Sequence, residues 1–277
     1  MKLAKAHGLG NDFLLVEESS CPSDASRWAR RLCDRHAGVG ADGVVVYGVG
    51  AGSARMRLIN ADGSDAEISG NGLRCLAGYL VHTGLASAAH VVATAAGPRA
   101  VWVEPAGGTR FRVTADLGSP ILDSRCIPVA LEPPAACVVD HVLDVAGRSV
   151  AVTATSLGNP HCAVFSERPP LDDELARLGA ALETHPFFPR RTNVEFVAVA
   201  GPGELCVRFW ERGVGYTRAS GTGAASAVVA SVLAGRSGRT VRVVCDGGVL
   251  EVDWPEGGTV RQVGDVEVVF EGEWVAR

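Results

Sequence analysis

Apolar positions in this chain switch between the alternation of strands and the wider spacing of helices. LAKAHGLGNDFLLVEE reads as an extended start. SDASRWARRLCDRH predicts a helix, because apolar residues recur at helical spacing and Ser23 or Asp24 can cap it. VVVYGV reads as a buried strand, MRLIN as a short strand and NADGSD as a turn with Asp-Gly chemistry. GNGLRCLAGYLVHTG predicts a helix with Leu73, Leu76, Leu80 and Val81 along one face. HVVATAA, AVWVEP and TRFRVTADLG predict an antiparallel meander. The stretch from Leu117 to Ser149 is rich in Pro and Ala and has little periodicity, and the expected boundary falls near Gly118 to Pro120.

The second half repeats the grammar of the first. A strand, SVAVTAT, leads to a loop, SLGNPH; a helix, LDDELARLGAALETH, leads to PFFPRRTNVEFVAVA; a strand, LCVRFWERGVG, leads to SGTGAASAVVASVLAG. VRVVCDGGVLEVDW and DVEVVFEGEW close the chain as strands. SGNG at 69–72 and SGTG at 220–223 lie 151 positions apart, and each opens a helix of small or apolar residues. One device in each half points to duplication. The expected fold is α/β (α+β): two pseudo-symmetric lobes, residues 1–117 with 263–277 and residues 118–262, each a mixed or antiparallel sheet wrapped on a central helix.

Composition narrows the function. With 277 residues and a formal net charge of −5, and no basic block longer than Arg190-Arg191, the chain lacks the footprint of a nucleic-acid binder. Gly8, Gly10, Asn11 and Asp12 interrupt the N-terminus before an apolar stretch can grow, and no run approaches the ~18 residues of a membrane helix. A cytoplasmic protein with no membrane partner is expected. The eight cysteines form no CxxC pair, so neither zinc nor a disulfide framework is expected. There are 24 arginines but only two lysines, Lys2 and Lys5, which leaves few places for a Schiff-base cofactor.

GVGADG at 38–43 fits the dinucleotide pattern GxGxxG, but the helix precedes it and the strand follows, the reverse of what that site needs. Neither SGNG nor SGTG is a nucleophile elbow, since Glu67 and Arg218 stand where GxSxG requires glycine. The two loops make sense otherwise. Helix N-termini expose unpaired N–H groups and attract a carboxylate. If both helices point at one cleft, their amides hold one carboxylate while Ser69 and Ser220 stand on opposite sides of its α-carbon. Either serine alone reads as an N-cap; the repetition is what suggests a paired site.

Asparagines recur in turn-like contexts at Asn11, Asn60, Asn159 and Asn193, offering donors and acceptors to a zwitterionic ligand, although any one of them alone reads first as a turn residue. Glu211-Arg212 could bind a second ammonium and carboxylate, or form a surface pair. His161 could assist proton transfer, orient a partner, or be structural. Tyr216 reads first as packing.

Together HGLGNDF, DRHAGVGADG, NADGSDAEISGNGLRC, GNPHCAVF, RTNVEF, ERGVGYTRASGTGAA and FEGEW resemble the diaminopimelate epimerase family, in order over nearly the whole chain. The resemblance implies a homodimeric, cofactor-independent isomerase of lysine and peptidoglycan biosynthesis, with substrate between two lobes. It also implies substrate contacts from Asn11, Asn60, Asn159, Asn193, Glu211 and Arg212, and a carboxylate held by backbone amides of Gly70, Asn71, Gly221 and Thr222. In the family a cysteine precedes each GxG and the two work as base and acid; here Ser69 and Ser220 take their places. Cys75 lies six residues on, roughly 9 Å along the helix and about 240° around it, and should point elsewhere. Three readings stay open: an epimerase working with serines, a ligand-binding protein without turnover, or an isomerase of another small acid using Glu211 or His161.

Overall fold

Strands rich in Val and broken by glycine turns number seventeen, and four α-helices join them among the described residues, giving a mixed α+β fold. The computed structural model describes residues 1–50 and 53–275. Ala276 and Arg277, the end of the expected closing segment, lie outside the described residues. Contacts divide the chain into two units, Met1–Asp116 with Val263–Arg277, and Leu117–Gln262.

The first unit contains β1 (Lys2–Gly8), β2 (Asn11–Glu17), α1 (Ala25–Cys33), β3 (Gly43–Gly50), β4 (Ser53–Asn60), β5 (Asp65–Ala66), α2 (Gly70–His82), β6 (Ala89–Thr94), β7 (Gly97–Pro105), β8 (Arg110–Asp116) and most of β17 (Arg261–Glu273). Asp24 caps α1, its carboxylate accepting from the Arg27 N–H at 3.2 Å. The extended start is thus a hairpin, turned at Leu9 (φ 56°) and Gly10 (φ 85°), the left-handed pair that a two-residue β-turn demands. β2 runs parallel to β3, β3 antiparallel to β4, β4 parallel to β6, and β6, β7 and β8 form the meander. β17 pairs with both β8 and β1 and closes an eight-stranded barrel. Helix α2 packs against β1, β2, β3, β7 and β8. Gly70 through Leu80 are all buried, Arg74 included, so the helix is enclosed all round where the sequence reading had given it a single apolar face.

The second unit contains β9 (Val138–Val145), β10 (Arg148–Ser156), β11 (Pro160–Phe165), α3 (Asp172–Glu183), β12 (Asn193–Gly201), β13 (Glu204–Glu211), β14 (Gly215–Thr217), α4 (Gly221–Leu233), β15 (Thr240–Cys245) and β16 (Gly248–Asp253). Its pairings repeat those of the first: β10 antiparallel to β11, β11 parallel to β12 across a helix, β12 antiparallel to β13, a short β14, a buried helix, then β15 parallel to β13 and antiparallel to β16. Helix α4 packs against six of these strands. Two expectations change. The stretch 117–149 is not without regular structure: β9 lies in it, and Ile127, Val129, Val138, Leu143 and Val145 join the core under α3. The loop SLGNPH is shorter than expected, because Pro160 and His161 already pair with Ser156 and Thr155 in the sheet.

Candidate active site

Registers place the halves in correspondence. Phe13 pairs with Gly43 and His161 with Asn193, so Asn11 and Asn159, each two residues earlier, are equivalent. Leu58 pairs with Ala66 and Phe209 with Thr217, and three residues beyond each pair stand Ser69 and Ser220.

Both serines are N-caps of nearly identical geometry, at φ −132°, ψ 125° and φ −129°, ψ 125°. Ser69 Oγ accepts from the Gly72 N–H at 3.0 Å, and Ser220 Oγ from the Gly223 N–H at 3.3 Å. A cap uses one lone pair of a hydroxyl and leaves its proton to act elsewhere. Gly223 must be glycine, since a Cβ there would lie 2.9 Å from Ser220 Oγ and 3.0 Å from the Phe209 ring. Gly70 and Asn71, and Gly221 and Thr222, occupy the first helical turns, where N–H groups lack intrahelical partners.

In the first unit, Asn11 opens β2 and is buried. Its Nδ2 donates to Asp42 Oδ2 at 2.8 Å, and its Oδ1 accepts from Asn71 Nδ2 at 2.9 Å. Asn60 ends β4, with its Nδ2 donating to Ser64 Oγ at 3.1 Å. Asp42 and Asp12 share Arg35, while Lys5 donates to Asp12 at 2.8 Å and to the Gly40 carbonyl at 2.6 Å. Burial pushes the Asp12 carboxyl up, but Arg35 and Lys5 more than offset this and hold it below the ordinary range. Asp42 is raised, by burial and by the charge of Asp12. Of the glycines of GVGADG, Gly38 and Gly40 lie in the segment between α1 and β3, where a Cβ on Gly38 would lie 2.2 Å from the Arg31 carbonyl, whereas Gly43 opens β3.

In the second unit, Asn159 Nδ2 donates to Thr222 Oγ1 at 3.3 Å, and its Oδ1 lies 3.0 Å from His161 Nε2. His161 is wholly buried and its Nδ1 lies 2.7 Å from Glu195 Oε1. Asn193 donates to the Pro160 carbonyl at 2.9 Å and accepts from the Arg212 N–H at 2.9 Å. Glu211 accepts from Thr217 Oγ1 at 2.6 Å, and the Arg212 guanidinium donates to the Arg190 carbonyl at 3.3 Å. Gln262 secures the helix start, donating to the Gly221 carbonyl at 2.6 Å.

Sequence reasoning missed Asp42, Glu195 and Glu183. Buried Glu183, at the end of α3, accepts from the Gly213 N–H at 2.9 Å and from the Trp210 indole at 2.7 Å, and pairs with Arg191. It thereby braces the turn carrying Glu211 and Arg212. For Glu195 and Glu183 a charged residue at an inward position of a strand or helix was the available signal, while Asp42 lies in the segment between α1 and β3 and carried none. Tyr216 is exposed, not core: its hydroxyl donates to Asp246 at 2.8 Å and Arg208 lies over its ring. Cys75 is enclosed, and burial pushes its thiol up to about 12.

The frame is one found in solved epimerases. A predicted epimerase from Pseudomonas aeruginosa is similar over 100% of this chain and 99% of that chain, with TM-score 0.70 and 18% identity. A hydroxyproline epimerase from Agrobacterium vitis, bound to trans-4-hydroxy-L-proline, is similar over 98% of this chain and 90% of that one, with TM-score 0.70 and 16% identity. In sequence, the model of the family described as diaminopimelate epimerase matches residues 3–122 and 153–269. A diaminopimelate epimerase of Desulforudis audaxviator is 48% identical, covering 99% of each chain, and one of Pelotomaculum thermopropionicum is 44% identical, covering 100% of each. The protein is therefore an isomerase of the racemase and epimerase class. It belongs to the diaminopimelate epimerase family. Among the described residues, no helix is long and apolar enough to cross a membrane.

Proposed function

We propose that this protein is a cofactor-independent epimerase of diaminopimelate that converts the LL form to the meso form at one α-carbon. The observation that carries the reading is the matched pair of half-sites, each a serine-capped helix tip whose second residue is held by a hairpin asparagine. In this reading the tips of α2 and α4 are the ligand-binding ends of their helices. Their amides stabilise the α-carboxylate and the negative charge that spreads onto it when the α-proton leaves. One group takes that proton, the bond's electron pair stays on the α-carbon and carboxylate, and the group on the opposite side returns a proton. Asn11, Asn60, Asn159 and Asn193 line the ligand, with Glu211 and Arg212 at its second ammonium and carboxylate. His161 supports Asn159. Family membership supports a homodimer in the cytoplasm, and the net charge of −5 argues against a nucleic-acid partner.

Ser69 and Ser220 occupy the two proton-transfer positions. A thiol, with a reference pKa of about 8.5, is brought to thiolate near neutrality by a helix N-terminus, whereas an alcohol is far less acidic and half a charge of helix dipole does not close that gap. This observation favours a second reading, a binding protein whose turnover is slow or absent. One incubation separates the two. LL-diaminopimelate held with the protein in deuterated water gains α-deuterium if the serines turn over. Calorimetric binding of LL- and meso-diaminopimelate in preference to lysine, ornithine and glutamate, without deuterium uptake, leaves the second reading. Absence of binding removes both.

A further inference from the structure

Glu195 on β12 and His161 on β11 stand on adjacent parallel strands and are both inaccessible to solvent, at 1% and 0% exposure. At the equivalent positions of the first unit the same frame holds Val45 and Phe13. The duplicated fold therefore needs no acid and no imidazole here. A buried charged pair is a weak stabiliser compared with an apolar pair of similar volume, so its presence calls for another reason. Glu195 Oε2 is buried without a hydrogen-bond partner, and burial raises the carboxyl above its ordinary range.

The hydrogen bonds around the pair have a direction. Imidazole Nε2 faces Asn159 Oδ1, an acceptor, so Nε2 carries a hydrogen. That requires a further proton between Nδ1 and Glu195 Oε1, whichever atom holds it, and leaves the buried pair without net charge. The alternative, an ionised Glu195 against neutral imidazole with Nε2 bare, would bury a net negative charge and turn the Asn159 amide round. With Oδ1 held by His161, Asn159 Nδ2 donates to Thr222 Oγ1. A hydroxyl that accepts there has its own hydrogen to donate elsewhere. In the first unit the chain runs the other way: Asn71 donates to Asn11, and Asn11 donates to the Asp42 carboxylate.

We infer that Glu195 is a positioning residue for ligand binding: acting through His161 and Asn159, it sets the hydrogen-bond direction that makes the Thr222 hydroxyl a donor to a carboxylate at the tip of α4. The inference rests on the reading that this helix tip binds the α-carboxylate of an amino acid. Its asymmetry has a chemical consequence, since the second helix tip gains a side-chain donor beside its backbone amides while the polar chain at the first ends on an acid.

Three variants of the full chain test it: Glu195→Gln, Glu195→Val, and His161→Phe with Glu195→Val, which copies the first unit. The amide of Glu195→Gln donates to Nδ1 and keeps Nε2 protonated, so affinity for LL-diaminopimelate by calorimetry stays near that of the parent. Glu195→Val loses roughly tenfold, the scale of a misaligned buried hydrogen bond. The double variant regains thermal stability but not affinity. Equal affinity of the parent, Glu195→Val and the double variant, all folded by circular dichroism, overturns the inference. Nitrogen NMR of the His161 ring supplies an arm that needs no ligand. The parent should show hydrogen-bearing Nε2, and Glu195→Val a mixture of ring forms. If the parent binds no diaminopimelate, the carboxylate reading fails by itself, while a ring spectrum unchanged by Glu195→Val overturns the role of Glu195.

Discussion

Asn71, the second residue of α2, donates from its side chain to Asn11 at 2.9 Å, fastening a helix tip to a hairpin 60 residues earlier in the chain. Thr222 and Asn159 repeat the arrangement in the other unit at 3.3 Å. Since Asn71 is wholly buried, its replacement by alanine leaves Asn11 Oδ1 short of a donor. Asn71→Ala should cost about 1–3 kcal/mol in urea unfolding. A loss below a few tenths would mean the fastening carries no weight.

The acid cluster beside Asn11 gives the fold a pH signature. Asp12 sits below the ordinary carboxylate range in the folded protein, chiefly because Arg35 and Lys5 overcome the cost of its burial. A depressed folded value means that the folded state holds the proton less tightly, so the stabilisation is present above the unfolded value and vanishes as pH falls through the folded one. Asp12→Asn should therefore be less stable than the parent at pH 7, with the gap closing as pH drops below about 4. Thermal melts across that range check it; a gap that widens on acidification would refute the assignment.

Ser69 and Ser220 cap their helices whatever else they do. Ser69→Ala and Ser220→Ala should each cost about 0.5–2 kcal/mol, and glycine at either place only a few tenths. Thermal unfolding distinguishes these outcomes.

Glu183 braces the turn that presents Glu211 and Arg212 without being near them in sequence. Arg191 is half exposed and turns to water, but the two N–H donors lose a buried acceptor, and Glu183→Ala should cost about 1–3 kcal/mol in urea unfolding. Calorimetry on the folded fraction should also show weaker ligand binding, because the Gly213 N–H and the Trp210 indole lose their common acceptor.

Much of this was legible in the chain. The SGxG repeats at 69–72 and 220–223, which cap and open α2 and α4, and the repeated order of strands and helices made the duplicated frame legible, because helix caps act locally; of the asparagines read as turn residues, Asn11, Asn60 and Asn193 stand at strand ends. Asp42, Glu195 and Glu183 were not legible, because their roles depend on which strands become neighbours, and adjacency between β11 and β12 spans about thirty residues of chain. The same cause hid β9. Its alternation is blurred by half-buried His141 on the inward side and exposed Val142 on the outward side, and its pairing with β10 supplies what its own pattern lacks. Periodicity likewise missed the full enclosure of α2, since Asn71 and Arg74 lie inward, where the Arg74 guanidinium donates to the Asn71 side chain.

The central proposal is that Ser69 and Ser220 stand at the two positions where the α-proton of the substrate is taken and returned. Changing Ser69→Cys and Ser220→Cys together, and measuring formation of meso- from LL-diaminopimelate with solvent deuterium at the α-carbon, tests it most directly. The account predicts that the double variant epimerises at least a hundredfold faster than the parent, since thiolates become accessible at neutral pH. A folded double variant that binds diaminopimelate yet exchanges no α-hydrogen would contradict it.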